Sequence, residues 1–367
     1  MKTATINELQ QIKVLGRIAR RTQPQPLFWA ASGLDFVFSG SELWVQFDAY
    51  FDCQEPWICV EVNGAWIMRM PILEKGQWVC LLRNLTPGVE KRVRIFKDCQ
   101  AMNGDRAHLL NVVALKWEEG EILPPPSADL KIEFVGDSLT SGEGTIGAVQ
   151  ETDWVTAFFS SMPCFTKKTA DLVNAEFRTI SQGGWGIAAG WDNDPSTVIV
   201  DIYDKVCACA KSEEAILLGA GEQASVLDWK ADVVVINLGT NDYSAFCHEA
   251  WVDPYTGESY KLCRDDKGGF VPEDAALIRR EMGKLLRKIR NLHPTAKLVW
   301  CYGMLPGELA PLIQQGLAQY QAETGDDCAF LRLTEVTMQT MGARWHPGAE
   351  CHTQAAQLLA KWIRDNL

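Results

Sequence analysis

No run in the 367-residue chain approaches the roughly 20 consecutive apolar residues of a membrane-spanning helix, so no membrane partner is expected. The N-terminus, Met1-Lys-Thr-Ala-Thr-Ile-Asn-Glu-Leu-Gln10, lacks the apolar stretch of a signal peptide. That predicts a cytoplasmic protein, or a secreted one if a signal has already been removed. Positive charge is in short supply: 35 Lys and Arg stand against 47 Asp and Glu, a net charge of −12. This sign argues against a nucleic-acid backbone as partner and favours a neutral substrate. Paired metal-binding motifs are missing. Of twelve cysteines only Cys207 and Cys209 lie close in sequence, with no second pair and no neighbouring histidine, so neither a metal nor an organic cofactor is expected. Others, such as Cys59, Cys80 and Cys301, sit singly in apolar runs, as reduced small hydrophobes do.

What is present divides in two. Residues 1–122 carry many short strand-like runs with turns between them, among them Leu34–Phe38, Leu43–Phe47, Trp57–Val62, Ala65–Met70, Trp78–Leu82 and Val93–Phe96. Asn63-Gly64 between two of these is a strong hairpin signal, because both turn residues need positive φ. An all-β sandwich or jelly roll is expected here. Trp29, Trp44, Trp57, Trp66 and Trp78 offer a sugar-stacking platform on paper, but tryptophans at strand positions more often pack. Pro124-Pro-Pro126 makes a stiff extended spacer, and residues 123–129 are read as a linker.

From residue 130 to 367 strands alternate with helices. Strands are predicted at Ile132–Val135, near Thr179–Ser181, at Val233–Leu238, at Lys297–Tyr302 and near Ala329–Leu333. Helices are predicted near Trp154–Phe159 and Lys167–Ala175, at Ala276–Asn291 and Pro311–Thr324, and from Thr353 to Asn366. The alternation indicates an α/β domain with a mostly parallel sheet covered on both faces. The long irregular stretch from Ala245 to Gly269, with Trp251, Tyr255 and Tyr260, reads as a lid, a binding loop or a disordered segment.

The chemistry concentrates at strand ends. Lys131-Ile-Glu-Phe-Val-Gly-Asp-Ser138 breaks from strand to turn at Gly136, placing Ser138 where open α/β sheets bind ligands. Taken alone, Ser138 reads better as a helix cap than as a nucleophile. A nucleophile needs a base, and there are five histidines. His293 closes a helix, His108 lies in the β-rich half, and His248 follows the Val233–Leu238 strand. His352 is placed on the last helix as a partly exposed residue. His346, in Arg344-Trp-His-Pro-Gly348 before that helix, is the best base candidate, with His352 and His248 as lesser competitors. Two more strand-end turns supply oxyanion donors: Ser181-Gln-Gly-Gly184-Trp-Gly-Ile187 through a backbone N–H, and Gly239-Thr-Asn241-Asp242 through a side-chain amide.

These four ordered blocks (Gly136-Asp-Ser138-Leu, Gly183-Gly184, Gly239-Thr-Asn241-Asp, His346-Pro347) resemble the SGNH (GDSL) hydrolases over residues 130–367. With the β-rich part in front and Trp345 before His346, the chain looks more narrowly similar to carbohydrate esterase family 2. That resemblance implies a flavodoxin-like three-layer α/β/α domain behind a jelly roll, and removal of O-acetyl groups from plant-polysaccharide oligosaccharides. It implies Ser138 as nucleophile and His346 as base, with oxyanion donors from the Ser138 and Gly184 N–H groups and Asn241. Asp137, Trp185, Asp242 and Trp345 flank these residues and stand as candidate substrate contacts. One departure matters: the Asp expected three residues before the base is Ala343. A Ser–His dyad is therefore expected, its imidazole held by a backbone carbonyl near Ala343 or Arg344, with Glu350 a weaker substitute. Two rival functions follow from the same residues: hydrolysis of lipid esters or thioesters, and carbohydrate binding by an inactive hydrolase domain. The sequence is compatible with a homo-oligomer.

Overall fold

Asn63 (φ 50) and Gly64 (φ 84) turn the chain as their dipeptide predicts. The structure, a computed structural model, describes residues 1–225 and 229–367. In the N-terminal part the strands are β1 (Lys2–Thr5), β2 (Lys13–Leu15), β3 (Gln25–Leu27), β4 (Gly33–Phe38), β5 (Leu43–Tyr50) and β6 (Trp57–Val62). They are followed by β7 (Ala65–Pro71), β8 (Lys75–Leu82), β9 (Lys91–Lys97), β10 (Leu109–Trp117) and β11 (Ile122–Leu123). Two antiparallel sheets result, ordered β1-β10-β5-β8 with β3 on β10, and β11-β4-β9-β6-β7 with β2 on β4. Strand β5 alternates buried and half-buried residues along its whole length, so one face meets the opposing sheet. Phe36, Phe38, Phe47, Val60, Ile95 and Leu115 fill the space between the sheets.

The tryptophans mostly pack. Trp29 is buried, its indole donating to the Val206 carbonyl at 2.7 Å. Lys116 stands over Trp44 and Trp78, and Arg69 over Trp57; only Trp66 of the five is exposed. Leu123 bonds into the sheet opposite Val37, and residues 124–128 then run without regular structure, as three prolines require.

Next come β12 (Leu130–Gly136), α1 (Ser138–Ser141), α2 (Phe165–Leu172), β13 (Ala175–Ser181), α3 (Ile199–Ile202), α4 (Glu213–Leu217), β14 (Val233–Asn237) and α5 (Thr240–Ala245). A small hairpin, β15 (Trp251–Val252) and β16 (Ser259–Tyr260), occupies the insertion. The chain closes with α6 (Pro272–Leu292), β17 (Lys297–Tyr302), α7 (Ala310–Thr324), β18 (Ala329–Arg332) and α8 (Ala349–Asn366). The five-stranded sheet is parallel throughout and ordered β13-β12-β14-β17-β18. It is flavodoxin-like: the strand order reverses between β12 and β14, and such switch points open a crevice at the carboxyl ends of the strands. Helices α2 and α8 pack on one face, and α3, α6 and α7 on the other. Among the described residues no helix is long and apolar enough to cross a membrane.

Two expectations fail locally. Trp154–Phe159 forms not a helix but a single 3-10 turn at Thr156–Phe158, because Phe159 bridges to Glu143 and the Phe158 carbonyl accepts from the Gly144 N–H. His352 is fully buried rather than half exposed. Its ring stacks on Phe165 and Nδ1 accepts from the Phe165 N–H at 3.1 Å, and burial pushes its pKa down to about 3.

Candidate active site

The register of the parallel sheet brings the motif turns to one edge. Gly136 pairs with Ser181 on one side and Asn237 on the other, so the chain leaves β12, β13 and β14 at the same level. Asp137 caps α1, its carboxylate accepting from the Leu139 N–H at 3.0 Å, and Ser138 opens the helix. The capping role that competed for Ser138 thus falls to its neighbour.

His346 Nε2 lies 2.9 Å from Ser138 Oγ, across 208 residues of sequence. Its Nδ1 lies 2.8 Å from the Arg344 carbonyl. A carbonyl can only accept, so Nδ1 carries the proton and Nε2 is free to receive one from Ser138. The third place in the constellation is held by a backbone carbonyl, while Glu350 bonds Gln354 on the surface of α8. None of the other four histidines stands against Ser138. His108 is buried against the Gln54 carbonyl, and His293 accepts from the Ala231 N–H and faces Glu133. His248 packs edge-on against Trp191, and His352 sits behind α2.

The His346 loop is seated on the turn after α1. Ala343 donates its N–H to the Gly144 carbonyl, and Gly144 has φ +71. A Cβ built on Gly144 would stand 2.4 Å from the Ala343 carbonyl oxygen and 2.5 Å from His346 Cβ. Gly144→Ala is therefore expected to push the imidazole off Ser138 and lower kcat/KM for an acetyl ester by about 100-fold. Steady-state kinetics with circular dichroism as the folding control checks this, and a variant keeping half the wild-type rate would refute the placement.

The donors opposite are partly free. Gly184 has φ +81, and within the described residues neither its N–H nor that of Ser138 donates to another group. The Asn241 amide nitrogen lies 2.9 Å from the Trp185 carbonyl and 3.2 Å from Asp137 Oδ2, so both its hydrogens are engaged.

The structure turns three of the four flanking candidates inward. Asp242 is buried and accepts from the N–H groups of Ile187, Ala188 and Ala189, fixing the loop after Gly184. Asp137 is buried at the start of α1, and the Trp185 ring lies in the core, its indole N–H without a partner among the described residues. Burial pushes the Asp137 carboxyl up to about 7 and that of Asp242 to about 6. Only Trp345 presents its ring to solvent, 63% exposed.

Several groups at the site carry no signal in the sequence. Gln100 of the N-terminal part accepts from the Gly183 N–H at 2.7 Å, and Asn103 accepts from Gln182. Trp191 donates its backbone N–H to the Gly184 carbonyl at 3.0 Å and lays its ring beside Gly184, 48% exposed. The insertion is fastened here: Asn193 donates to the carbonyls of Ala245 and Glu249 and accepts from the Leu262 N–H. Glu143, buried, pairs with Arg344 at 2.7 Å. No short motif marks these contacts: the Trp191–Gly184 bond lies within one irregular loop, and the others join segments far apart in sequence. A cleft at the opposite end of the sheet, between Arg290, Asp326 and Trp362, holds no nucleophile–base pair, and its Arg290 is spent on Asp326 and three carbonyls.

Residues 132–359 match the family of GDSL-like lipases and acylhydrolases. Over 350 residues the chain is 25% identical to the cellulase/esterase CelE of Acetivibrio thermocellus, covering 92% of this chain and 37% of that one. It thus spans little more than a third of that relative. The solved structure of an acetyl xylan esterase (Est2A) from the rumen bacterium Butyrivibrio proteoclasticus superposes with a TM-score of 0.96 at 35% identity, over 99% of this chain and 98% of that one. A family two carbohydrate esterase from Clostridium thermocellum, solved in complex with cellohexaose, shares the fold with a TM-score of 0.78 at 22% identity, over 96% and 98% of the two chains.

Proposed function

The chain belongs to the GDSL-like lipase and acylhydrolase family and is a carboxylic ester hydrolase of the carbohydrate-esterase kind, and we propose that it removes O-acetyl groups from oligosaccharides of plant-polysaccharide origin. The observation that carries the mechanism is the 2.9 Å contact from Ser138 Oγ to an imidazole whose other nitrogen is fixed on a carbonyl. Ser138 Oγ attacks the acetyl carbonyl carbon as His346 Nε2 takes its proton. The negative charge that develops on the carbonyl oxygen meets the N–H groups of Ser138 and Gly184. Asn241 joins them by giving up its longer contact, the one to Asp137. As the intermediate collapses, the bond to the sugar oxygen breaks and His346 returns the proton to that oxygen. Water then attacks the acetyl–Ser138 ester with His346 again as base, releasing acetate and restoring the serine.

The sugar is held outside this machinery. Trp191, beside Gly184, and Trp345, next in sequence to His346, are both exposed, and a pyranose ring stacks on an aromatic face. A binding-only role leaves the Ser138–His346 contact without purpose.

The test is hydrolysis of acetylated xylo- and manno-oligosaccharides, followed by NMR, against p-nitrophenyl esters of rising chain length. Acetate release from the sugars, with activity falling as the acyl chain lengthens, supports the proposal. Preference for chains of about eight carbons or more would replace it with a lipid-ester reading. Trp191→Ala is expected to raise KM for the acetylated oligosaccharide about tenfold, the worth of one aromatic contact, and to move kcat far less.

A further inference from the structure

We propose that Glu143 is a positioning residue for His346, acting through Arg344 in place of the carboxylate that the chain lacks at Ala343. The inference rests on the reading of Ser138 and His346 as nucleophile and base.

A neutral carbonyl holds Nδ1, so the direction of that carbonyl decides where the imidazole points. The Arg344 backbone has φ 55 and ψ 33, and Trp345 follows with φ 54. Two consecutive left-handed residues carrying β-carbons are a sparsely populated conformation that the surroundings must impose. At Arg344 three bonds impose it. Its N–H donates to the Glu151 carbonyl at 2.8 Å, its Nη1 to the Thr152 carbonyl at 2.7 Å, and its Nε to Glu143 Oε1 at 2.7 Å.

Glu143 is placed for more than a surface pair. Its side chain is buried, whereas surface ion pairs hold little in place. Its own N–H donates to the Ser138 carbonyl at 3.0 Å, which ties it to the turn that carries the nucleophile. Its Oε2 lies beneath Gly183, where a Cβ would meet it at 2.8 Å. One residue thus closes a ring: Ser138 to Glu143 through the main chain, Glu143 to Arg344 by charge, Arg344 to His346 through the carbonyl, and His346 back to Ser138 Oγ. It also touches the glycine turn that supplies an oxyanion donor. The carboxylate absent from position 343 is present one bond further out, on the other strand-end loop.

A tether that is merely structural and one that also balances charge make different predictions for pH. The charged and titratable groups around the dyad are Glu143 from the turn after α1, Arg344 on the His346 loop, Asp137 beside Ser138, whose carboxyl burial raises and which also feels Glu143, and His352 on α8, which burial keeps neutral. The acid limb of the kcat/KM profile reports ionisation of the base in the free enzyme. Glu143→Gln leaves the Arg344 cation uncompensated, which disfavours imidazolium, so the acid limb should move to lower pH by about half a unit. Arg344→Gln leaves the Glu143 carboxylate alone, and the limb should move the opposite way. Each variant should lose about 10- to 100-fold in kcat with KM changed less than about threefold. Arg344→Lys keeps the cation and should return the limb to its wild-type position.

Wild type, Glu143→Gln, Arg344→Gln, Arg344→Lys and Ser138→Ala are compared on an acetyl ester across pH, with circular dichroism for folding and fluorophosphonate labelling of Ser138. Opposite limb shifts with lowered kcat support the inference. If Glu143→Gln does not fold, the direction of the shift in Arg344→Gln decides: upward supports the inference, and unmoved or downward overturns it. Wild-type kcat and an unmoved limb in Glu143→Gln, or limbs that move together, overturn it while Ser138→Ala stays inactive. An active Ser138→Ala that resists labelling overturns the proposed mechanism instead.

Discussion

Ser138→Ala is expected to lower kcat for acetyl-ester hydrolysis by about 10⁴-fold or more, with the fold unchanged. Among the described residues the hydroxyl makes one hydrogen bond, to the half-buried His346 Nε2, and the deleted atom leaves no buried partner among them. The stability change should therefore stay within about 1 kcal/mol. With the proposed oxyanion donors, the N–H groups of Ser138 and Gly184, still in place, the residual rate should exceed that in water. His346→Ala should cost a comparable factor, and the double variant little more than either single one, because nucleophile and base act as one unit. Burst kinetics with p-nitrophenyl acetate and fluorophosphonate labelling separate loss of the nucleophile from loss of binding. A Ser138→Ala enzyme that kept a tenth of the wild-type rate would end the acyl-enzyme mechanism.

The parts of the site that were legible in the sequence are those written within a few residues of a strand end. Gly136-Asp-Ser138, Gly183-Gly184 and Gly239-Thr-Asn241 each need a tight turn and a small or polar group, and turn chemistry is local. The uninterrupted apolar run predicts a strand at Val233–Leu238, and β14 is buried along its whole length, as a central parallel strand is. The supporting contacts were not legible, because no local rule links Glu143 to Arg344, 201 residues on, or Gln100 to Gly183. Burial of polar groups misled in the same way. Asp137 and Asp242 look like ligands for substrate, yet Asp137 accepts from the Leu139 N–H of its own turn and Asp242 from the N–H groups of Ile187 and Ala188 in the loop after Gly184, so both carboxylates are consumed by backbone that needs an acceptor. His352 looked exposed because the helix pattern alone does not say that α2 will cover that face of α8. Trp154–Phe159 looked helical because its apolar residues say nothing of the bridge from Phe159 to Glu143.

The largest stability effect is expected far from the chemistry, at Glu133 in the middle of β12. Its carboxylate is fully buried and serves four partners on four different segments. Arg17 of the N-terminal part and Arg178 of β13 reach one oxygen, and Tyr203 at the end of α3 and His293 at the end of α6 reach the other. Burial by itself penalises the charge, but Arg178 and Arg17 overturn that and hold the carboxyl well below its usual range. Glu133→Ala would leave two buried guanidinium groups without a counter-charge, and removing one member of such a cluster costs about 3–5 kcal/mol. Glu133→Gln should recover only part, since the amide still accepts from Tyr203 but neutralises neither arginine. The sign of the pH dependence follows. A lowered carboxylate pKa contributes stability that is in full force above the unfolded value, about 4.3, and fades as pH falls through the folded value below it. The gap between wild type and Glu133→Ala in urea denaturation should be flat from about pH 6 upward and narrow in acid. Replacing Glu133, Arg17 and Arg178 together by apolar residues of similar size should cost less than Glu133→Ala alone, because the expense lies in charges left unpaired and not in the loss of the pair. A loss under about 1 kcal/mol for Glu133→Ala would show that water reaches the arginines, and with it that the seam between the β-sandwich and the parallel sheet is not sealed at Arg17.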